Sequence, residues 1–262
     1  MYNINSKINL SIVLLSDIHY SNKNKKVLNK ILLKFNNIKP DYICIPGDIL
    51  DESIDYYKNV YNFFVSLSKI SKVIISLGNH DISIINKKQK YFNNTWYLNL
   101  SKIDNVYVLD NKQITFNNIT FTGYNSPFKD KYLDSPINTL NDLKNLNFKT
   151  NYFNILLTHS PQSILGLDEL YNNNFIKKQD LILCGHMHNG LIPHIFNKGH
   201  IGLIGPSKKL FPKYSRGIFK INNTYLIISK GITKLAKHSY FLKIFNILYP
   251  IDIEIINIRK VL

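Results

Sequence analysis

Five short polar stretches hold most of the side chains in this sequence that could do chemistry. They are Asp17-Ile18-His19, Gly47-Asp48, Gly78-Asn79-His80-Asp81, Thr158-His159-Ser160 and Gly185-His186-Met187-His188-Asn189-Gly190. Five of the chain's eight histidines fall in them, with three acids and two amides, of which Asn79 is the candidate ligand. Imidazoles mixed with carboxylates, and no cysteine among them, describe an open nitrogen and oxygen site for a transition metal rather than a closed structural zinc site. A lone His-x-His pair is more often an incidental polar turn. What gives His186 and His188 weight is that four earlier stretches end in the same style. The candidate ligands Asp17, His19, Asp48, Asn79, His159, His186 and His188 exceed the needs of one ion, so two ions close together and sharing a carboxylate are the natural arrangement.

Each polar stretch follows an apolar run: Ile12 to Leu15, Tyr42 to Ile45, Val73 to Leu77, Phe153 to Leu157 and Leu181 to Cys184. Runs without polar alternation are the pattern of strands covered on both faces. Between them, Val27, Leu28, Ile31, Leu32 and Phe35 recur at helical spacing from Lys25 to Ile38, where Pro40 stops the helix. Val60, Phe63, Phe64 and Leu67 do the same between Ile54 and Ile70, and a third helix is expected from Gln162 to about Leu170. Strand, polar tip and helix in repetition predict parallel strands with crossover helices, whose sites lie at the carboxyl ends of the strands. If the tips stay extended, His186 and His188 point to the same side, roughly 6 to 7 Å apart along the chain, one for each ion. Asp17 and His19 would alternate likewise.

The middle is less regular. Val106 to Leu109, Gln113 to Phe116 and Ile119 to Phe121 are short runs separated by turn-like pairs, which predicts a meander in a second sheet. Tyr124 to Asn138, with Pro127 and Pro136, reads as a long loop, and strands are expected near Tyr225 to Ser229 and Ile251 to Ile258. No linker or repeat divides the chain, so one domain over 1–262 is expected.

The series Asp17-x-His19, Gly47-Asp48, Gly78-Asn79-His80-Asp81, His159 and Gly185-His186-x-His188 resembles the calcineurin-like metallophosphoesterase family. The blocks occur in that family's order and none departs from its pattern. The resemblance implies an α/β protein, a four-layer α/β/β/α sandwich of two mixed β-sheets flanked by helices. It implies two divalent metal ions, of manganese, iron or zinc: Asp17, His19 and His188 hold one, Asn79, His159 and His186 the other, and Asp48 bridges them. It further implies a hydrolase acting on a phosphomonoester or phosphodiester, through a hydroxide bridging the two ions. Two ions about 3.5 to 4 Å apart can acidify a water and clamp the phosphoryl group for in-line attack. His80 resembles the family's histidine near the leaving-group oxygen, where an imidazolium can donate a proton. Asp81 is expected to orient that ring. The alternatives are a nuclease or cyclic-nucleotide phosphodiesterase of the same chemistry, or a non-catalytic interaction module.

The formal net charge of +16 favours anionic partners: a phosphate-ester substrate above all, then an anionic membrane surface touched peripherally, with nucleic acid less favoured. A general surplus of lysine, asparagine and isoleucine explains the same charge without function. The loop from Pro206 to Gly217 offers Lys208, Lys209, Lys213 and Arg216 as candidate substrate-binding cations; a guanidinium suits bidentate phosphate contact. Lys230 to Pro250 interleaves cations with aromatic and aliphatic residues in a spacing compatible with an interfacial segment. No signal-peptide pattern and no apolar run of membrane-spanning length is present, so a cytoplasmic protein, at most peripheral at the inner membrane face, is expected. Cys44 and Cys184 sit among aliphatics and read as buried thiols. The oligomeric state is not legible.

Overall fold

The computed structural model describes residues 1–21, 24–35, 37–51, 54, 57–86, 96–125, 150–161, 178–191, 199–206, 210–232, 251 and 253–261. Among these the strands form two mixed six-stranded sheets. The first contains β1 (Tyr2–Ser6), β2 (Leu10–Leu14), β3 (Tyr42–Pro46), β4 (Lys72–Ser76), β5 (Val106–Val108) and β12 (Glu254–Lys260), in the order β1-β12-β2-β3-β4-β5. The second contains β6 (Lys112–Phe116), β7 (Ile119–Tyr124), β8 (Phe153–Thr158), β9 (Leu181–Cys184), β10 (Gly217–Ile221) and β11 (Thr224–Ile228), in the order β10-β11-β9-β8-β7-β6. β2, β3, β4 and β5 run parallel, as do β7, β8, β9 and β11, while β12 against β2, β6 against β7 and β10 against β11 are antiparallel.

The uninterrupted apolar runs have a simple cause. In β2 to β4 one set of side chains, Val13, Ile43, Ile45, Val73 and Ile75, packs beneath helices α1 (Val27–Lys34), α2 (Lys58–Ser68) and α4 (Trp96–Leu100). The alternate set, Ile12, Leu14, Cys44 and Ile74, meets Phe121, Ile155, Leu157, Leu181, Leu183 and Ile227 of the second sheet. A strand with both faces in a core has no place for a polar residue. Each such side chain contributes about 1.5 to 3 kcal/mol by its burial. On the far face of the second sheet Leu156, Ile182, Leu226 and Ile228 are buried as well, so that face too is covered. The sandwich flanked by helices is therefore the fold the sequence predicts.

Several details differ from expectation. Val106 to Val108 is the edge of the first sheet, pairing with β4, and not part of a second-sheet meander. Two strands were not foreseen. β1 buries only Ile4 of its five residues, so its sequence lacks an apolar run, and β10 buries only Gly217, with Lys220 exposed and the rest half-buried. α1 and α2 begin later than the periodicity predicts, and α3 (Asn79–Asn86) starts within the third polar tip. The helix expected from Gln162, most of the Tyr124 to Asn138 loop, and 233–250 of the interleaved segment lie outside the described residues. Among the described residues no helix is long and apolar enough to cross a membrane.

Candidate metal centre

The carboxyl ends of β2, β3 and β4 in one sheet and of β8 and β9 in the other converge, and the chain beyond each strand does not stay extended. Asp17 (φ 53°), His19 (φ 44°), Asp48 (φ 53°), His186 (φ 69°) and His188 (φ 45°) all adopt left-handed backbone. This corrects the extended-tip geometry expected from alternation. Tertiary hydrogen bonds explain it: Asp17 N donates to Gly47 O at 3.3 Å, His19 N to Asp48 O at 3.0 Å and Gly185 N to His159 O at 2.9 Å. Left-handed non-glycine residues cost on the order of 1 kcal/mol or more each and persist where their surroundings over-determine them, as they do at functional sites.

Glycines allow the tips to approach. A Cβ on Gly78 would stand 2.2 Å from Asp48 Oδ1, and one on Gly185 would overlap Ser16 Oγ. Gly231, which the sequence reading passed over, packs its Cα hydrogen side against Asp17: a Cβ there would lie 3.1 Å from both Asp17 Cβ and Oδ2.

Six of the seven residues expected as ligands fall into two groups. Asp17, His19 and His188 form one, whose ligand atoms lie within 4.8 Å of one another, and Asp48, His159 and His186 form the second. Asn79, the seventh, begins α3 beside His80. Asp17 Oδ1 is 3.7 Å from His188 Nε2 and 4.0 Å from His19 Nε2. Asp48 Oδ2 lies between the groups, 3.0 Å from His159 Nε2 and 3.5 Å from His19 Nε2. A third group, His19, Asp48 and His80, overlaps both and was not anticipated. The His80 ring meets the His19 ring edge-on, with centroids 4.7 Å apart.

The electrostatics suit cations. Burial holds the pKa values of His19 and His186 well below the usual imidazole range, which leaves them neutral, the form that ligates metal. Burial alone would raise the Asp48 pKa, but His159 and the other imidazoles around it more than offset that, and its carboxyl is held well below the usual range. Burial opposes charge on His159, yet the neighbouring Asp48 and Asp17 carboxylates push its pKa up to about 9. The residues also pass a direct test of fit. Among the described residues, Asn79 Oδ1 and both ring nitrogens of His19 are buried without a hydrogen-bond partner. Buried polar atoms left this way cost about 1 to 3 kcal/mol each, and a pair of cations would satisfy Asn79 Oδ1 and one ring nitrogen of His19.

Groups behind the ligands fix them. His159 Nδ1 lies 2.8 Å from Pro46 O, and because a carbonyl only accepts, Nδ1 carries the proton and Nε2 faces the site. Both oxygens of Asp17 accept from His186 N–H, at 3.0 and 3.1 Å. Two expected roles change. The Asp81 carboxylate accepts backbone N–H bonds from Ile49, Leu50 and Gly78, while His80 Nδ1 has no hydrogen-bond partner among the described residues. Asp81 therefore ties two strand tips together rather than orienting the His80 ring. Its burial and the Asp48 charge push its pKa up to about 6 against those three bonds.

Arg216, expected to grip a substrate phosphate, is only 2% exposed. It donates through Nε to Gly199 O at 3.0 Å and through Nη1 to Asn189 O at 2.9 Å and Asn189 Oδ1 at 3.3 Å. Its guanidinium braces the turn His188–Leu191, in which His188, Asn189, Gly190 and Leu191 are all left-handed. A buried arginine just before a strand carries no distinguishing sequence signal. Lys213 is exposed, and Lys208 and Lys209 lie outside the described residues.

Two packed mixed sheets with imidazoles and carboxylates gathered where their strands end define a sandwich of the metal-binding phosphoesterase type. Residues 10–190 match the calcineurin-like phosphoesterase family, and the chain belongs to it. It is 30% identical over 198 residues to an uncharacterized metallophosphoesterase of Campylobacter jejuni, covering 73% of this chain and 48% of the relative. A putative metallophosphoesterase of Caenorhabditis elegans is 27% identical over 238 residues, covering 86% of this chain and 44% of the relative. The chain thus spans about half the length of these relatives. Among solved structures, a protein of Thermus thermophilus shares the fold with a TM-score of 0.53 and 11% identity, covering 86% of this chain and 90% of that one.

Proposed function

We propose that the protein hydrolyses a phosphomonoester or phosphodiester with two divalent ions, one held by Asp17, His19 and His188, the other by Asn79, His159 and His186, with Asp48 shared. The observation that carries this reading is the position of Asp48 Oδ2 between two imidazoles of different groups, 3.0 Å from His159 Nε2 and 3.5 Å from His19 Nε2. Ions bound there would lower the pKa of a water to yield a nucleophile and neutralise charge on the phosphoryl oxygens.

The remaining work falls to the chain itself. His19 and His186 are presented as neutral imidazoles and Asp48 as a carboxylate, the protonation states that binding requires, while His159 must give up a proton to bind an ion. The Pro46 carbonyl keeps the His159 proton on Nδ1, away from the site. His80, half-buried at the head of α3 and anchored through its own N–H to Asp48 Oδ1 at 2.9 Å, is the group proposed to give a proton to the leaving oxygen. Asp81 acts through Asp48 as a positioning residue. The test is hydrolysis of an aryl phosphate ester by the protein loaded with Mn²⁺, followed by comparison of monoesters with diesters. Turnover that requires divalent metal is expected, and no turnover with any divalent metal in protein holding two ions overturns the reading.

A further inference from the structure

Large apolar side chains that stand exposed among the described residues are unevenly spread: five of nine fall between Ile201 and Tyr214. They are Ile201 (54% exposed), Leu203 (43%), Leu210 (61%), Phe211 (62%) and Tyr214 (40%). The two arms of this stretch form a small hairpin. Gly202 N donates to Pro212 O at 2.9 Å, Phe211 N to Leu203 O at 3.0 Å and Ser215 N to His200 O at 3.1 Å, and Ile204 pairs with Leu210 in antiparallel register.

The hairpin has an inside and an outside. Gly202 is buried against the metal-site turn: a Cβ on it would stand 2.4 Å from Ser215 Oγ and 2.7 Å from Gly190 Cα. Leu203 N and Ile204 N both donate to Gly190 O, at 2.7 and 3.1 Å. Alternation along an extended arm sends Ile201 and Leu203 to the side opposite Gly202, away from the turn. The outer side is therefore apolar, on an element whose inner side is seated on the turn that carries His188. Clustered exposed apolar residues of this kind mark a surface that docks onto something.

Charge identifies the occupant. Between Asp180 and Asp252 the sequence has nine lysines and no acidic residue, besides the buried Arg216. Lys213 stands exposed between Phe211 and Tyr214. A second copy of the chain would bring like charge against like. A nucleic acid would satisfy the cations but leave Ile201 and Leu203 in water. An anionic lipid surface satisfies both, because aliphatic side chains enter the headgroup boundary while lysines stay at the level of the phosphates.

We propose that the outer face of the Ile201–Tyr214 hairpin docks on an anionic membrane, setting the metal centre beside the bilayer. The docking does not depend on bound metal or on turnover, so its failure and that of the hydrolytic reading are separable.

The test is co-sedimentation of the full chain with vesicles of phosphatidylcholine containing one quarter phosphatidylglycerol, and with phosphatidylcholine alone. Binding is expected to the anionic vesicles only and to weaken at least tenfold when salt is raised to 0.5 M. Leu203→Asn with Phe211→Asn should lower it at least tenfold while melting temperature, metal content and hydrolysis of a soluble aryl ester stay as in the parent. Equal binding to neutral vesicles, or no loss in the double variant, overturns the proposal. So does a concentration-dependent dimer, or an oligonucleotide complex, that the double variant loses while the parent ignores anionic vesicles.

Discussion

Asp48 and Asp81 hold each other's chain in place across two neighbouring strand ends. Asp48 Oδ1 accepts the N–H of His80 at 2.9 Å, next to Asp81, and Asp81 Oδ1 accepts the N–H groups of Ile49 at 3.0 Å and Leu50 at 3.1 Å, next to Asp48. Asp81 Oδ2 adds Gly78 N at 3.0 Å. The carboxylate proposed to be shared by two ions is thus positioned by a second carboxylate that need not touch either.

Asp81→Ala should therefore act on the metal site from behind. It leaves three buried N–H groups without their acceptor, and a loss of about 2 to 5 kcal/mol in urea unfolding is expected. Asp81→Asn keeps an oxygen for part of the network and should lose less. In both, elemental analysis after dialysis should find fewer than two ions per chain. Full metal content in a strongly destabilised Asp81→Ala would reduce the residue to a purely structural role.

Gly78→Ala tests the closeness of the same two tips. Its new Cβ would lie 2.2 Å from Asp48 Oδ1 and 2.4 Å from Asp48 N, contacts that only a shift of the Asp48 turn can relieve. Overpacking of this kind costs about 1 to 3 kcal/mol. Activity with Mn²⁺ should fall much further than stability does, since the displaced atom belongs to a proposed ligand. A variant with parental turnover would show that the turn can move without harm.

Arg216→Ala removes the donors that hold Asn189 and Gly199 around the left-handed turn at His188. The metal group containing His188 should weaken while the one containing His159 is kept, so titration with Mn²⁺ should resolve one tight and one weakened ion. Once both ions are loaded, KM for an aryl ester should stay within about threefold of the parent. A large KM increase with two tight ions would return Arg216 to the substrate-binding role first expected for it.

His80→Ala separates proton transfer from metal binding. Both ions should be retained while kcat falls by about 10² to 10⁴, the range of a general acid. The loss should be smaller for an ester with a good leaving group, whose oxygen needs no proton. Loss of an ion would instead make His80 a ligand, as its place in the third group with His19 and Asp48 permits.

Legibility in the sequence followed the physics of each part. The strands β2, β3, β4, β8 and β9 could be read because burial on both faces leaves an unbroken apolar run, and their tips could be read because polar residues after such a run are conspicuous. The edge strands β1 and β10 gave no such signal: β1 buries one side chain in five. The left-handed backbone at Asp17, Asp48 and His186 was not legible because hydrogen bonds between tips far apart in sequence impose it. The same holds for Asp81 and Arg216, whose residue types were noticed but whose partners, Ile49, Leu50, Asn189 and Gly199, are set by tertiary structure. Gly231 had a signal that was missed: it follows a strand, as Gly47, Gly78 and Gly185 do or nearly do.

The central claim is that Asp48 is shared by two ions that act together. The most direct measurement is Mn²⁺ titration of metal-free protein, with stoichiometry from elemental analysis and the electron paramagnetic resonance spectrum recorded alongside aryl phosphate hydrolysis. Two ions per chain are expected, with an exchange-coupled spectrum that appears together with turnover, and Asp48→Asn should lose the coupling and the activity together. Full turnover at one ion per chain, or two uncoupled ions with parental activity in Asp48→Asn, would contradict it.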